Sequence, residues 1–129
     1  MITDLRKKFR FREFQVYKDA RKFSYGLKEL SRKKFPSGEK FSLQSQLFRA
    51  LDSIILNIAE GSDRGTDKDF ALYLNRSHTS LNEVVSCLDI ALDNKYVNQE
   101  EHQIYLIKAV NLADQLTAFR KRLLDNPSK

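Results

Sequence analysis

The sequence predicts an all-α protein built as an up-down-up-down four-helix bundle. Apolar residues recur at spacings of three and four along four long stretches, and short polar connections join those stretches. No stretch alternates apolar and polar residues as a half-buried strand would. The composition agrees: of 129 residues, 41% are hydrophobic, 31% are charged and only two are proline, the balance of a helical chain with one core.

The first helix is expected from Phe14 to Lys34, with Val16, Ala20, Phe23, Leu27 and Leu30 on one face; Pro36, Ser37 and Gly38 end it. The second begins near Ser42 and carries Leu43, Leu47, Leu51, Ile54 and Ile58. Gly61 closes it, read as a residue that tolerates left-handed backbone. The third opens at Thr66, where T-D-K-D has the form of a capping box with Asp69 in place of glutamate. Its stripe runs through Phe70, Leu74, Ser77, Leu81, Val84, Leu88 and Ala91. The fourth starts at Asn98 as N-cap, with Glu100 and Glu101 at the positive end of its dipole. Tyr105, Ala109, Leu112, Leu116, Phe119 and Leu123 follow, and the helix stops before Pro127. The expected organisation is a basic segment over residues 1–13, a bundle over 14–125 and a tail over 126–129.

The second helix is more apolar than a bundle requires. Phe48, Ala50, Ile55 and Ala59 widen its stripe to roughly 180°, where somewhat over 100° suffices. The excess points to a second buried surface, between subunits. Asn57 lies at the border of that face, and Glu60 and Arg64 are four residues apart across Gly61.

Charge is placed unevenly. Residues 1–40 hold 13 Lys and Arg against 5 Asp and Glu, while the remainder is slightly acidic, although the whole chain carries a net +6. Within the first third, Lys7, Lys8, Arg10 and Arg12 interleave with Phe9 and Phe11, and Arg32, Lys33 and Lys34 end the first helix. Such cations neutralise phosphates, and such rings stack on bases. Each feature also has a structural explanation: the rings dock the segment on the bundle, and cations suit a helix C-terminus.

No catalytic machinery is legible. The lone Cys87 excludes an intramolecular disulfide and a cysteine-based zinc site, and it reads as a small hydrophobe. His78 and His102 lack metal-ligand spacing, and the four glycines form no phosphate loop. Glu60, Asp63, Asp67 and Asp69 suffice to imagine a magnesium site, but acids at a helix end and a helix start are expected for capping alone. No metal or cofactor is expected. No run approaches the about 20 apolar residues of a membrane span, and the N-terminus lacks the apolar core of a secretory signal. The expected compartment is the cytoplasm, with no membrane partner.

The stretch S-I-I-L-N-I-A-E-G from Ser53 to Gly61, followed by Arg64, resembles the bacterial four-helix family named after the intervening sequences of 23S ribosomal RNA genes. The likeness extends through Asp69–Phe70 and the Ser80 to Glu83 step, and back to F-R-E-F-Q-V-Y-K-D-A and F-P-S-G-E-K-F-S-L-Q-S-Q. It covers roughly residues 11 to 125. Gln15 stands where leucine is common in the family. The resemblance implies a homopentameric barrel, as in the related accessory variability determinant of diversity-generating retroelements, which binds nucleic acid and a reverse transcriptase through basic surfaces. It implies no active site, so Ser53, Asn57, Glu60, Gly61 and Arg64 carry over as fold or assembly residues. Asn57 and Glu60 are then expected to be at least partly buried and hydrogen-bonded.

The function expected is that of a non-enzymatic oligomer binding the RNA or DNA backbone through Lys7 to Arg12 and Arg32 to Lys34. The alternative is an adaptor for a protein partner such as a reverse transcriptase. A bundle-type ribonuclease with an Arg-x(4–6)-His motif fits poorly, because Arg76 and His78 are only two apart and no arginine stands four to six positions before His102.

Overall fold

Four α-helices fall where the periodicity places them: α1 Gln15–Lys34, α2 Leu43–Gly61, α3 Asp67–Asp93 and α4 Gln99–Asp125. The structure, a computed structural model, describes residues 8–126, and no strand occurs among them. Two single turns of 3-10 helix, Arg10–Glu13 and Ser37–Glu39, precede α1 and α2.

Each helix starts for a local reason. Leu43 donates its backbone N–H to Glu39 Oε1 at 3.2 Å, so a carboxylate from the preceding turn caps α2 in place of the Ser42 hydroxyl. Thr66 Oγ1 accepts from the Asp69 N–H at 3.1 Å, which is the forward half of the expected box. Asn98 and Glu101 form the complete reciprocal box at the start of α4, at 2.8 and 2.9 Å.

The helix ends correct one expectation. No glycine has a positive φ; the only described residue that does is Lys95, at 63°. It follows α3 in a Schellman arrangement, with Tyr96 N–H bonded to the Ala91 carbonyl at 2.8 Å and Lys95 N–H to that of Leu92 at 2.9 Å. Gly61 instead remains helical, and its missing Cβ is what lets α3 approach. A Cβ there would lie 2.6 Å from Tyr73 Cβ and 3.0 Å from Phe70 Cδ1.

The helices pack as a ring, α1 on α2, α2 on α3, α3 on α4 and α4 back on α1, and neither diagonal pair approaches closely among the described residues. The α2–α3 and α3–α4 seams are the more extensive, and α1 is held more loosely. Leu27, Leu51, Ile58, Leu74, Val84 and Leu116, each 1% exposed or less, form the middle of the core. Part of the wide α2 face is covered from within the chain, since Lys28 and Arg32 lie over the Phe48 ring at 5.3 and 5.1 Å.

Candidate functional site

The S-I-I-L-N-I-A-E-G stretch runs along the α2–α3 seam, and its polar members divide between two roles. Ser53 Oγ shares a hydrogen bond with Ser80 Oγ at 2.8 Å, and Asn57 Nδ2 donates to the Ser53 carbonyl and hydroxyl at 2.9 and 3.0 Å. One turn deeper, the fully buried Ser77 donates to the Ile54 carbonyl at 2.8 Å. Small hydroxyls therefore stitch α2 to α3 where larger side chains would hold them apart. Asn57 is half-buried and bonded, as expected.

Glu60 departs from expectation. It is exposed, and its carboxylate has no hydrogen bond or ion pair among the described residues. The cause is its angular position: two residues beyond Ile58, it sits about 200° round the helix from the core. Arg64 does not pair with it. The Arg64 guanidinium lies 5.1 Å from the centroid of the Tyr73 ring, and Arg76 lies 4.5 Å from the same centroid.

The basic segment is docked against this same end of α2. Arg10 Nη2 donates to the Ser62 carbonyl at 3.0 Å, a cation placed on the negative end of the helix dipole. Its guanidinium also covers Phe14 and Phe70, at 5.4 and 5.9 Å from their centroids. Phe14, Phe70 and Phe119 form one aromatic cluster, with centroids 5.1 to 6.2 Å apart, that closes this end of the bundle. Phe11 is half-buried and meets Tyr17 edge-on at 5.0 Å, while Phe9 leans on Phe11 at 6.3 Å and stays 47% exposed. Phe11 thus docks, and Phe9 keeps a free face. Lys8 and Arg12 are exposed, with no ion-pair partner among the described residues. Lys7 lies outside the described residues.

An open groove of about 550 Å³ results, with Lys8 and Phe9 on one side and Leu56, Glu60, Asp63 and Arg64 on the other. The fold joins two sets of residues, 40 or more positions apart, that the sequence presented separately.

The second basic cluster behaves differently. Arg32 pairs with Glu29 at 2.5 Å and Lys34 with Glu101 at 3.3 Å, leaving Lys33 as its one cation without a partner among the described residues. Internal carboxylates thus already neutralise most of its charge. Among the described residues no three His, Cys, Asp or Glu side chains gather as a metal site, and no helix is long and apolar enough to cross a membrane. Cys87 is buried, and that burial pushes its thiol pKa up. His102 contacts Asp89 at 2.8 Å on the far surface.

Sequence reasoning missed Tyr73, Arg76 and Leu56. The signals were present: Tyr73 and Arg76 are three apart on α3, a facing pair, and Leu56 interrupts the polar flank of α2.

In comparisons with known proteins, residues 12–118 match the family model described as 23S rRNA-intervening sequence protein. A solved structure of a protein of unknown function from Bacteroides thetaiotaomicron, from the S23 ribosomal protein family, superposes with a TM-score of 0.72. The match covers 82% of this chain and 98% of that one at 20% identity, a likeness of fold. No curated protein matches the chain.

Proposed function

The chain belongs to the 23S rRNA-intervening sequence protein family, and from that premise we propose that it is a non-enzymatic, self-assembling bundle that binds the backbone of RNA or DNA. One observation carries the reading: the Arg10 bond to Ser62 holds a basic segment against α2 and leaves Lys8 and Arg12 free of carboxylate partners among the described residues. Unneutralised cations on a docked, pre-ordered segment lose little entropy when they meet phosphates. Several copies in one particle would raise the effective concentration of a weak site. This reading shifts weight from Arg32, Lys33 and Lys34 to the N-terminal segment.

The test is a salt titration of binding to labelled RNA and DNA. Log affinity should fall linearly with log salt, by about 0.7–0.9 in slope for each phosphate contact. The double variant Lys8→Glu, Arg12→Glu should bind weakly and keep its melting temperature, because both side chains are exposed. Parent-like binding by that variant would sink the proposal. Arg10 is left unchanged, because it caps α2 and covers the aromatic cluster.

A second reading, a protein adaptor, is favoured by a different surface. Ile104, Ile107 and Val110, three residues apart on α4, are 44%, 60% and 54% exposed. The bundle leaves this apolar stripe uncovered, as association surfaces are.

A further inference from the structure

We propose that the groove and the Tyr73 surface beside it form a path for a single strand, with one unpaired base in the groove and the adjoining phosphates on Arg64 and Arg76. The proposal rests on the nucleic-acid reading above and adds which form of nucleic acid is taken.

The groove is not a pure phosphate site. Its walls offer Leu56, 65% exposed, and the free face of Phe9, apolar surface that a base turned out of a stack can cover. A duplex keeps its bases paired inside and gains nothing from such walls. On the same rim stand two exposed carboxylates, Glu60 and Asp63, with no cation on either among the described residues. They repel phosphate, but they accept hydrogen bonds from the exocyclic amino groups of cytosine, adenine and guanine, which thymine and uracil lack.

The phosphates have their own place. Arg64 lines the groove and also lies on Tyr73, where Arg76 joins it, and neither guanidinium has a carboxylate among the described residues. The face of one ring offsets only part of two like charges. The ring orients both guanidiniums while leaving N–H donors for phosphate oxygens. The order across the surface is therefore base, then backbone: carboxylates and apolar walls at the groove, cations beyond it.

The experiment measures binding at low salt to short labelled homopolymers of deoxycytidine, deoxyadenosine and deoxythymidine, and to a duplex of equal length. The proposal expects single strands to bind more tightly than duplex. It also expects cytosine or adenine to exceed thymine by about two- to tenfold, through an amino hydrogen bond thymine cannot make. Arg64→Ala and Arg76→Ala should each reduce the salt slope by about 0.7, the increment of one single-strand phosphate contact. Lys108→Ala, an equal charge loss on the surface between α1 and α4, should leave the slope unchanged. Both arginines are exposed, melting curves check that the variants fold, and the base preference of the parent needs no variant. Equal binding of duplex and single strand, indifference to base, or an unchanged slope in both arginine variants overturns the single-strand path and leaves the backbone reading standing. Absence of binding to every probe overturns both.

Discussion

The Tyr96 hydroxyl donates to Glu39 Oε2 at 2.6 Å and ties the turn before α2 to the loop before α4, 57 residues away. The other oxygen of the same carboxylate caps α2 through Leu43. One half-buried acid thus sets the start of a helix and the position of a remote loop.

That bond makes stability depend on pH in a stated direction. The Tyr96 hydrogen bond, followed by the Leu43 N–H, holds the Glu39 pKa below its ordinary 4.5. A depressed folded value means the contribution is present above pH 4.5 and lost as pH falls through the folded pKa. The same bond raises Tyr96 above 10.0, so its contribution is lost as pH rises through that raised value. Tyr96→Phe should lower the melting temperature at neutral pH, and the gap from the parent should close on acidification. A gap independent of pH between 2 and 7 would contradict the assignment.

Two backbone substitutions should act with opposite signs to the usual rules of thumb. Gly61→Ala, ordinarily a helix-stabilising change, should cost about 1–3 kcal/mol by forcing α2 off α3. Lys95→Gly should stabilise by about 1 kcal/mol by relieving a left-handed residue. Urea unfolding of both variants checks this.

Asn57 and Glu60, three residues apart on α2, should separate in the same assay. Asn57→Ala removes two hydrogen bonds at the α2–α3 seam and should cost about 1 kcal/mol. Glu60→Ala should stay within about 0.5 kcal/mol of the parent, as surface changes do, and show its effect on base preference instead. Comparable losses for both would return Glu60 to a structural role.

Self-assembly is checked by light scattering. The uncovered stripe on α4 should be satisfied in solution by other copies of the chain. A particle several times the 15.1 kDa of one chain is expected. A monomer at micromolar concentration would remove this part of the proposal and favour the adaptor reading.

The helices were legible because each is long and keeps its period over several turns; α1 was expected from Phe14 and begins at Gln15. Capping was legible where its residues are local, at Thr66 and Asn98, and not where the cap comes from a turn, as Glu39 does for α2. The site was visible only in pieces. Nothing periodic connects Arg10 with Ser62, 52 residues on, and only packing brings Lys34 to Glu101. The exposure of Glu60 is legible from its angle to Ile58, although Ser53, Asn57 and Gly61 of the same motif are half-buried or buried. The role of Gly61 was not, because the need for a missing Cβ arises from a helix that comes later in the chain.

The uneven ring has a kinetic consequence. Helices α2, α3 and α4 follow one another and form successive hairpins, whose local closure is fast. Helix α1 must close the ring against α4 from the opposite end of the sequence, through its thinner seams. It should dock last and open first as a unit, with amide exchange faster than that of α3. The Arg10 latch travels with it, since residues 10–13 lead directly into α1. A bound strand bridging Phe9 and Arg64 would then slow exchange throughout α1 while barely changing it in α3, so the same contact that recognises a ligand would finish the bundle.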